Sequence, residues 1–297
     1  MKPLVVTGAT GQVGWELARS LASLGPVLTP DRHALDLARP ETIAPYLQQH
    51  RPGVVVNPAA YTAVDKAESE PALAHTVNAE SVAELARVCA ELDALLVHYS
   101  TDYVFDGSKA SAYEVTDTTQ PVSVYGRSKL AGEAAIAASG CRHLILRTSW
   151  VYGGRGKNFM LTMLKLASER EGLKVVGDQF GAPTWSRLIA DATAQLIARI
   201  PEGAVPPVSL LHLTGAGRTS WHGFASRIVE TGAELGLCKA IPVQAITTAE
   251  YPTPAARPVN SSLSLQAIEQ TYGLQLPHWE TSLKHCLQDL AAARSGR

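Results

Sequence analysis

Five short, nearly continuous apolar runs punctuate the first half of the chain: Pro3–Thr7, Val27–Thr29, Gly53–Asn57, Ala94–Tyr99 and His143–Arg147. Runs this short suit parallel strands covered on both faces. Between them the pattern turns helical. Gln12–Leu24 reads as one helix, and beyond Pro71 the residues Val82, Leu85, Cys89 and Leu92 fall on a single helical stripe. Repeated strand–helix–strand order predicts a doubly wound parallel α/β sheet. Past Val151 the character changes. Gly153-Gly154-Arg155-Gly156 reads as a loop, and Met160, Met163, Leu164 and Ala167 then recur at helical spacing as core filler. Leu173–Val176 and Leu210–Leu213 read as strands returning to the main sheet, separated by a helical stretch that includes Leu188–Ile200. Trp221–Leu235 and Trp279–Leu290 would build a smaller, mainly helical lobe. Between them, Tyr251-Pro252-Thr253-Pro254 and Arg257-Pro258 mark irregular chain. The division expected is a first domain of residues 1–150 plus 173–214, and a second lobe of 151–172 and 215–297. The cleft between them is the default binding site.

Composition adds mainly exclusions. A length of 297 residues exceeds one domain of roughly 150. The chain is 46% apolar and 18% charged, enough to bury a core. A formal net charge of −1 supplies no field to attract nucleic acid or an anionic membrane, so local groups must hold any anionic ligand. Met1-Lys2-Pro3 leads straight into a strand-like run without the apolar stretch and cleavage site of a signal peptide. No run approaches the ~18 apolar residues of a membrane span. Cys89, Cys141, Cys238 and Cys286 lie far apart and form no CxxC pair, so neither zinc nor a disulfide framework is indicated. Cys89, on its apolar stripe, reads as a small buried hydrophobe. The expected setting is cytoplasmic.

Three clusters carry candidate chemistry. Gly8-Ala9-Thr10-Gly11-Gln12-Val13-Gly14 joins a strand to a helix. Glycines there let backbone N–H groups approach a diphosphate, and the helix N-terminus favours its charge. No Gly-Lys-Ser/Thr follows, so this is not a triphosphate loop. Asp31, soon after the second strand, could accept hydrogen bonds from ribose hydroxyls. Neighbouring Arg32 could pair with a 2′-phosphate, or both could be solvated loop charges. Asp36-Leu37 could flank an adenine ring. The second cluster is Tyr125-Gly126-Arg127-Ser128-Lys129. Tyrosine and lysine four apart share one helix face, where an ammonium would lower the phenol pKa toward the working range. The spacing alone is common on solvated helix faces; its placement after the fourth strand gives it weight. The third, Ser100-Thr101-Asp102-Tyr103, lies at the carboxyl end of that strand, where ligands of open α/β sheets bind. Its bland reading is a polar turn.

Together these residues resemble the extended short-chain dehydrogenase/reductases. Within them the chain is similar nearly end to end to the dTDP-4-dehydrorhamnose reductases. The most specific segments are Tyr61-Thr62-Ala63-Val64-Asp65-Lys66-Ala67-Glu68 and Asp178-Gln179-Phe180-Gly181-Ala182-Pro183-Thr184, supported by Arg147–Tyr152 and Tyr251–Ala255. The resemblance implies a Rossmann-like dinucleotide-binding domain and a substrate lobe. It implies reduction of the C4 ketone of dTDP-4-dehydro-6-deoxy-L-mannose to dTDP-L-rhamnose, in service of a cell-envelope polysaccharide, with NADPH favoured and NADH possible. By the same resemblance Tyr125 is the acid, Lys129 tunes it and binds ribose, and Thr101 polarises the carbonyl. Gly8, Thr10, Gly11, Gln12, Val13, Gly14, Asp31, Arg32, Asp36, Leu37, Ala60, Tyr61, Thr62, Tyr99, Tyr125 and Lys129 would line the cofactor. Thr101, Asp102 and Trp150 would contact the sugar nucleotide. Arg257 is a candidate for its diphosphate on chemistry alone. The alternatives are a sugar-nucleotide epimerase or dehydratase, or a non-catalytic subunit like that regulating methionine adenosyltransferase. Pro58 departs from the family's alanine and stiffens the chain. Some relatives dimerise through a magnesium ion held by carboxylates; Arg187 stands where they carry an acid. The expectation is therefore no metal, and a monomer or weak homodimer.

Overall fold

The computed structural model describes residues 2–296. Twelve strands occur among them: β1 (Leu4–Val6), β2 (Val27–Leu28), β3 (Val54–Asn57), β4 (Leu95–Thr101), β5 (His143–Thr148), β6 (Val151–Tyr152), β7 (Leu173–Val176), β8 (Phe180–Gly181), β9 (Thr184–Trp185), β10 (Leu210–His212), β11 (Thr219–Ser220) and β12 (Val243–Ile246). Six of them form one parallel sheet in the order β10-β5-β4-β3-β1-β2. The chain steps outward from β1 to β2 and then returns to β3 on the other side of β1. That reversal opens a crevice at the carboxyl ends of β1 and β3, the position at which Rossmann-like sheets take ligands.

Both faces of the sheet are covered, which explains the unbroken apolar runs. On one face, Leu4, Val6, Val97, Tyr99 and Leu146 pack with Leu17 and Leu21 and with Ile189 and Leu196 of the Ser186–Ala198 helix. On the other, Val5, Val55 and Leu96 meet Ile43, Leu47, Val82, Leu85 and Cys89. Cys89 is fully buried there, and burial pushes its thiol pKa up, as suits an inert packing residue. A separate core gathers Met160, Met163, Leu164 and Ala167 with Phe224, Ile228, Trp279 and Leu283.

Three readings change. Leu173–Val176 does not return to the main sheet. It pairs in parallel with Val243–Ile246, and Leu173 and Val175 pack into the Met160–Phe224–Trp279 core; only Leu210–His212 rejoins, beside β5. An apolar run announces a strand but carries no mark of the sheet it will join. Gln12–Leu24 is an α-helix only to Ser20, and Leu21–Leu24 tightens into a 3₁₀ turn. A further helix, Gln266–Tyr272, brings Ile268 and Tyr272 from the C-terminal segment into the main core. Among the described residues no helix is long and apolar enough to cross a membrane.

Candidate active site

The glycine turn closes tightly. Gly8 has φ of +56°, and a Cβ there would lie 2.9 Å from that of Ala59 in the loop after β3. A Cβ on Gly14 would come within 2.3 Å of the Gly8 carbonyl oxygen. The Gln12–Ser20 helix starts at Gly11, without a side-chain cap and with no acid in its first turn. Its N–H groups and positive dipole end are thus left for an anion. This cradle, which side chains would fill, fits a dinucleotide diphosphate.

The reactive cluster sits two strands away. Ser123 caps the Val124–Ala138 helix by accepting from Gly126 N–H at 3.1 Å, and Glu68 accepts from Val124 N–H at 2.8 Å. These two caps fix the turn that carries Tyr125. Asn78, in a π-helical turn at Thr76–Glu80, binds both backbone groups of Tyr61 and donates to Ser128 Oγ at 3.0 Å. It thereby ties the Ala60–Thr62 loop to the same helix. Thr101 ends β4, its side chain buried; its hydroxyl donates to Asp102 Oδ1 at 3.0 Å and accepts from Tyr103 N–H at 3.2 Å. The proton expected to polarise a carbonyl therefore points at Asp102 in this structure. Asp102 is 2% exposed, its Oδ2 has no partner, and burial pushes its carboxyl up to about 6.

Lys129 was expected to lower the Tyr125 phenol, and the structure gives the opposite. Tyr125 is raised, first by burial, with the Thr101 hydroxyl opposing and Asp102 and Tyr103 adding to the rise. Lys129, 2% exposed, donates to the Tyr99 carbonyl at 2.7 Å and meets His98 Nε2 at 3.1 Å. Burial pulls its ammonium down to about 8, against the pull of Glu133. In a weakly polarisable site, excluding water from the phenolate outweighs a lysine that is bonded elsewhere.

The remaining candidates divide. Asp31 Oδ1 accepts from the N–H groups of His33 and Ala34, so this carboxylate also builds its own turn. Arg32 stands exposed beside it. Leu37 is no adenine flank by its side chain: it is buried among Leu35, Ile43 and Leu47, while half-buried Asp36 accepts from Ala38 N–H. The Tyr99 ring points into the core, where its hydroxyl meets Thr193 Oγ1 at 2.6 Å, leaving only its carbonyl at the site. Trp150 has φ of +46°, a strained conformation for an aromatic residue, and stacks on Trp221 with centroids 3.5 Å apart. One face of its ring is thus already covered. Arg257 Nη2 donates to Asp65 Oδ2 at 2.7 Å, and Ala255 N–H to Asp65 Oδ1. Two family segments 190 residues apart in the chain meet there. Arg187 Nη1 donates to Asp289 at 2.6 Å and its Nε lies 3.4 Å from Glu16, so a guanidinium stands between two carboxylates. Among the described residues, no three His, Cys, Asp or Glu side chains converge as metal ligands would. Sequence reasoning missed Tyr103, His98, Asn57 and Asn78. Only Tyr103 lay inside a cluster read for its chemistry, while Asn57 and His98 lay in runs read as strands; a buried histidine or asparagine carries no local signature.

The RmlD substrate binding domain family matches residues 1–292. The chain is 51% identical over 296 residues to a dTDP-4-dehydrorhamnose reductase of Burkholderia thailandensis, covering 97% of this chain and 98% of that one. It is 46% identical to the enzyme of that name from Escherichia coli K12, covering 97% of both. A solved dTDP-4-dehydrorhamnose reductase from Bacillus anthracis, in complex with NADP, superposes with a TM-score of 0.89 at 32% identity, covering 97% of this chain and 99% of that one. A UDP-glucose 4-epimerase from Thermus thermophilus, 20% identical with a TM-score of 0.78, shares the fold.

Proposed function

This chain belongs to the family of the RmlD substrate binding domain, the dTDP-4-dehydrorhamnose reductases, and on that premise we propose that it reduces the C4 ketone of dTDP-4-dehydro-6-deoxy-L-mannose to dTDP-L-rhamnose. The observation that carries the reading is the gathering of Thr101, Asp102, Tyr125 and Lys129 near the carboxyl end of β4, two strands from an uncapped helix N-terminus. The Gly8–Gly14 turn and the Gln12–Ser20 helix N-terminus would hold the diphosphate of NADPH, which would supply hydride for the carbonyl carbon. Tyr125 gives its proton to the C4 oxygen. A phenol kept neutral by burial holds that proton until charge develops on the oxygen, and then meets an acceptor basic enough to take it. Thr101 turns its hydroxyl from Asp102 to the same oxygen. Lys129 holds positive charge beneath the site and binds ribose. Trp150, only partly exposed, contacts the sugar nucleotide, and Arg257 exchanges Asp65 for the substrate diphosphate. NADPH is favoured because Arg32 is free to pair with a 2′-phosphate, while Asp31 retains one oxygen for a ribose hydroxyl and so keeps NADH usable. The test is the ketone with NADPH, followed by loss of nicotinamide absorbance and identification of the sugar. No turnover, or an epimerised product with the cofactor retained, would overturn the reading.

A further inference from the structure

Among the fully buried titratable groups that the chemistry above leaves without a task, one touches the reactive lysine. His98, on β4, is 0% exposed and faces Lys129. It is the centre of a chain of polar contacts running across three neighbouring strands of the sheet. Thr7 Oγ1, next to Gly8, lies 2.6 Å from Asn57 Oδ1; Asn57 Nδ2 lies 3.1 Å from His98 Nδ1; His98 Nε2 lies 3.1 Å from Lys129 Nζ. Thr7, Asn57 and Lys129 are each 2% exposed or less. Polar groups that deep are retained only when each has a partner.

We propose that His98 is a positioning residue for the reduction: its Nε2 lone pair accepts from the Lys129 ammonium and, with the Tyr99 carbonyl, fixes where that charge sits, while Asn57 and Thr7 hold the imidazole from behind. This rests on the reductase reading. The hydrogen inventory supports it. An ammonium only donates, so Nε2 must accept, and Nδ1 of the neutral ring must carry the proton. That N–H then needs an acceptor, which Asn57 supplies when its amide turns Oδ1 toward the ring and Nδ2 toward Thr7, an exchange of two isosteric groups. With Nδ2 toward the ring and Oδ1 toward Thr7, as the amide is placed in this structure, Nε2 would carry the proton and only an uncharged lysine could face it. The orientation of Asn57 thus reports the charge on Lys129. The imidazole stays neutral, because burial and then the Lys129 charge hold it well below its usual range. The other charge acting on Lys129 is Glu133, one turn along its helix, itself clamped by Arg147 of β5 at 2.6 and 2.9 Å.

Two substitutions separate positioning from packing. His98→Gln places an amide oxygen near the Nε2 position and keeps the lysine's partner; His98→Asn reaches only the Nδ1 position and keeps Asn57's. Both leave a polar side chain of similar bulk. Lysine titration is read by NMR of 13C-labelled side chains, without sugar nucleotide, so this readout is independent of the substrate's identity. The Gln variant is expected to keep the native titration and kcat within about threefold, whereas the Asn variant titrates at lower pH and loses at least about tenfold in kcat. Equal titration and equal kcat in the two variants, or a native-like Asn variant, would overturn the proposal. Should the Asn variant not fold, Asn57→Leu removes the rear support while leaving the lysine contact. The same downward displacement is expected there, and an unmoved titration also overturns it. Absence of turnover in the native chain would instead overturn the substrate reading and leave the titration result standing.

Discussion

The crevice has two ends of opposite construction. At the β4 end, Thr101, Asp102, Lys129 and His98 are 4% exposed or less, and Lys129 and His98 bond to each other, to Asn57 of β3 and to the Tyr99 carbonyl of β4. At the β2 end, Asp31 and Arg32 are exposed, and Asp31 bonds only to its own turn. A charge or hydrogen bond in the first region acts with little screening and is costly to leave unmatched. In the second, water and salt weaken every interaction. On the proposed reading the chemistry would be held by the fold, whereas recognition of the far end of the cofactor would rest on a few side chains that can be exchanged without disturbing it.

The comparison can be broken most forcefully at Tyr125. Tyr125→Phe should lower kcat by about 100- to 10,000-fold, the range of a positioned acid. NADPH affinity, read by fluorescence titration, should hardly move because the glycine turn is untouched. Near-native turnover would remove Tyr125 from the chemistry. Next comes Asp102. Burial raises its carboxyl from 3.8 to about 6, so the fold favours the neutral form. That favourable contribution is complete below the unfolded value and is lost as pH rises through about 6. Asp102→Asn is neutral at every pH. Its stability relative to the native chain should therefore increase between pH 4 and pH 8, by up to about 3 kcal/mol. Denaturant unfolding at both values measures this, and a difference that does not change with pH would mean that the carboxylate is solvated.

At the exposed end the effects shrink. Arg32→Ala should weaken NADPH more than NADH by about 1–3 kcal/mol, read from the two dissociation constants, and more at low salt than at high. Equal losses would show that Arg32 does not read the phosphate. The smallest effect is expected from chelation. Arg187 fills the space between Glu16 and Asp289 with a fixed charge, which repels a divalent cation. EDTA should leave both turnover and the mass in solution unchanged; a dimer that dissociates on chelation would refute this account of Arg187.

Legibility followed the same division. Tyr125 and Lys129 were readable because four residues on a helix define one face, and Gly8, Gly11 and Gly14 because the tight turn excludes side chains. Leu37 and the Tyr99 ring were misplaced for a common reason. Neighbours of a ligand in sequence alternate between the crevice and the core, and the motif does not say which atoms face which side. The Tyr125–Lys129 coupling was misjudged because it was inferred from helical spacing, whereas the lysine's actual partners come from β4.

What the sequence determined by itself is therefore local. Apolar runs set the strands, periodic stripes set the helices, glycines set the tight turn after β1, and specific segments identified the family. Only the tertiary structure decided which sheet Leu173–Val176 would join, that Asp65 would meet Arg257, and that Thr7, Asn57 and His98 would line up behind Lys129. The physical reason is range. Propensity and turn chemistry act between near neighbours along the chain, while burial and the pairing of buried polar groups depend on residues that only folding brings together.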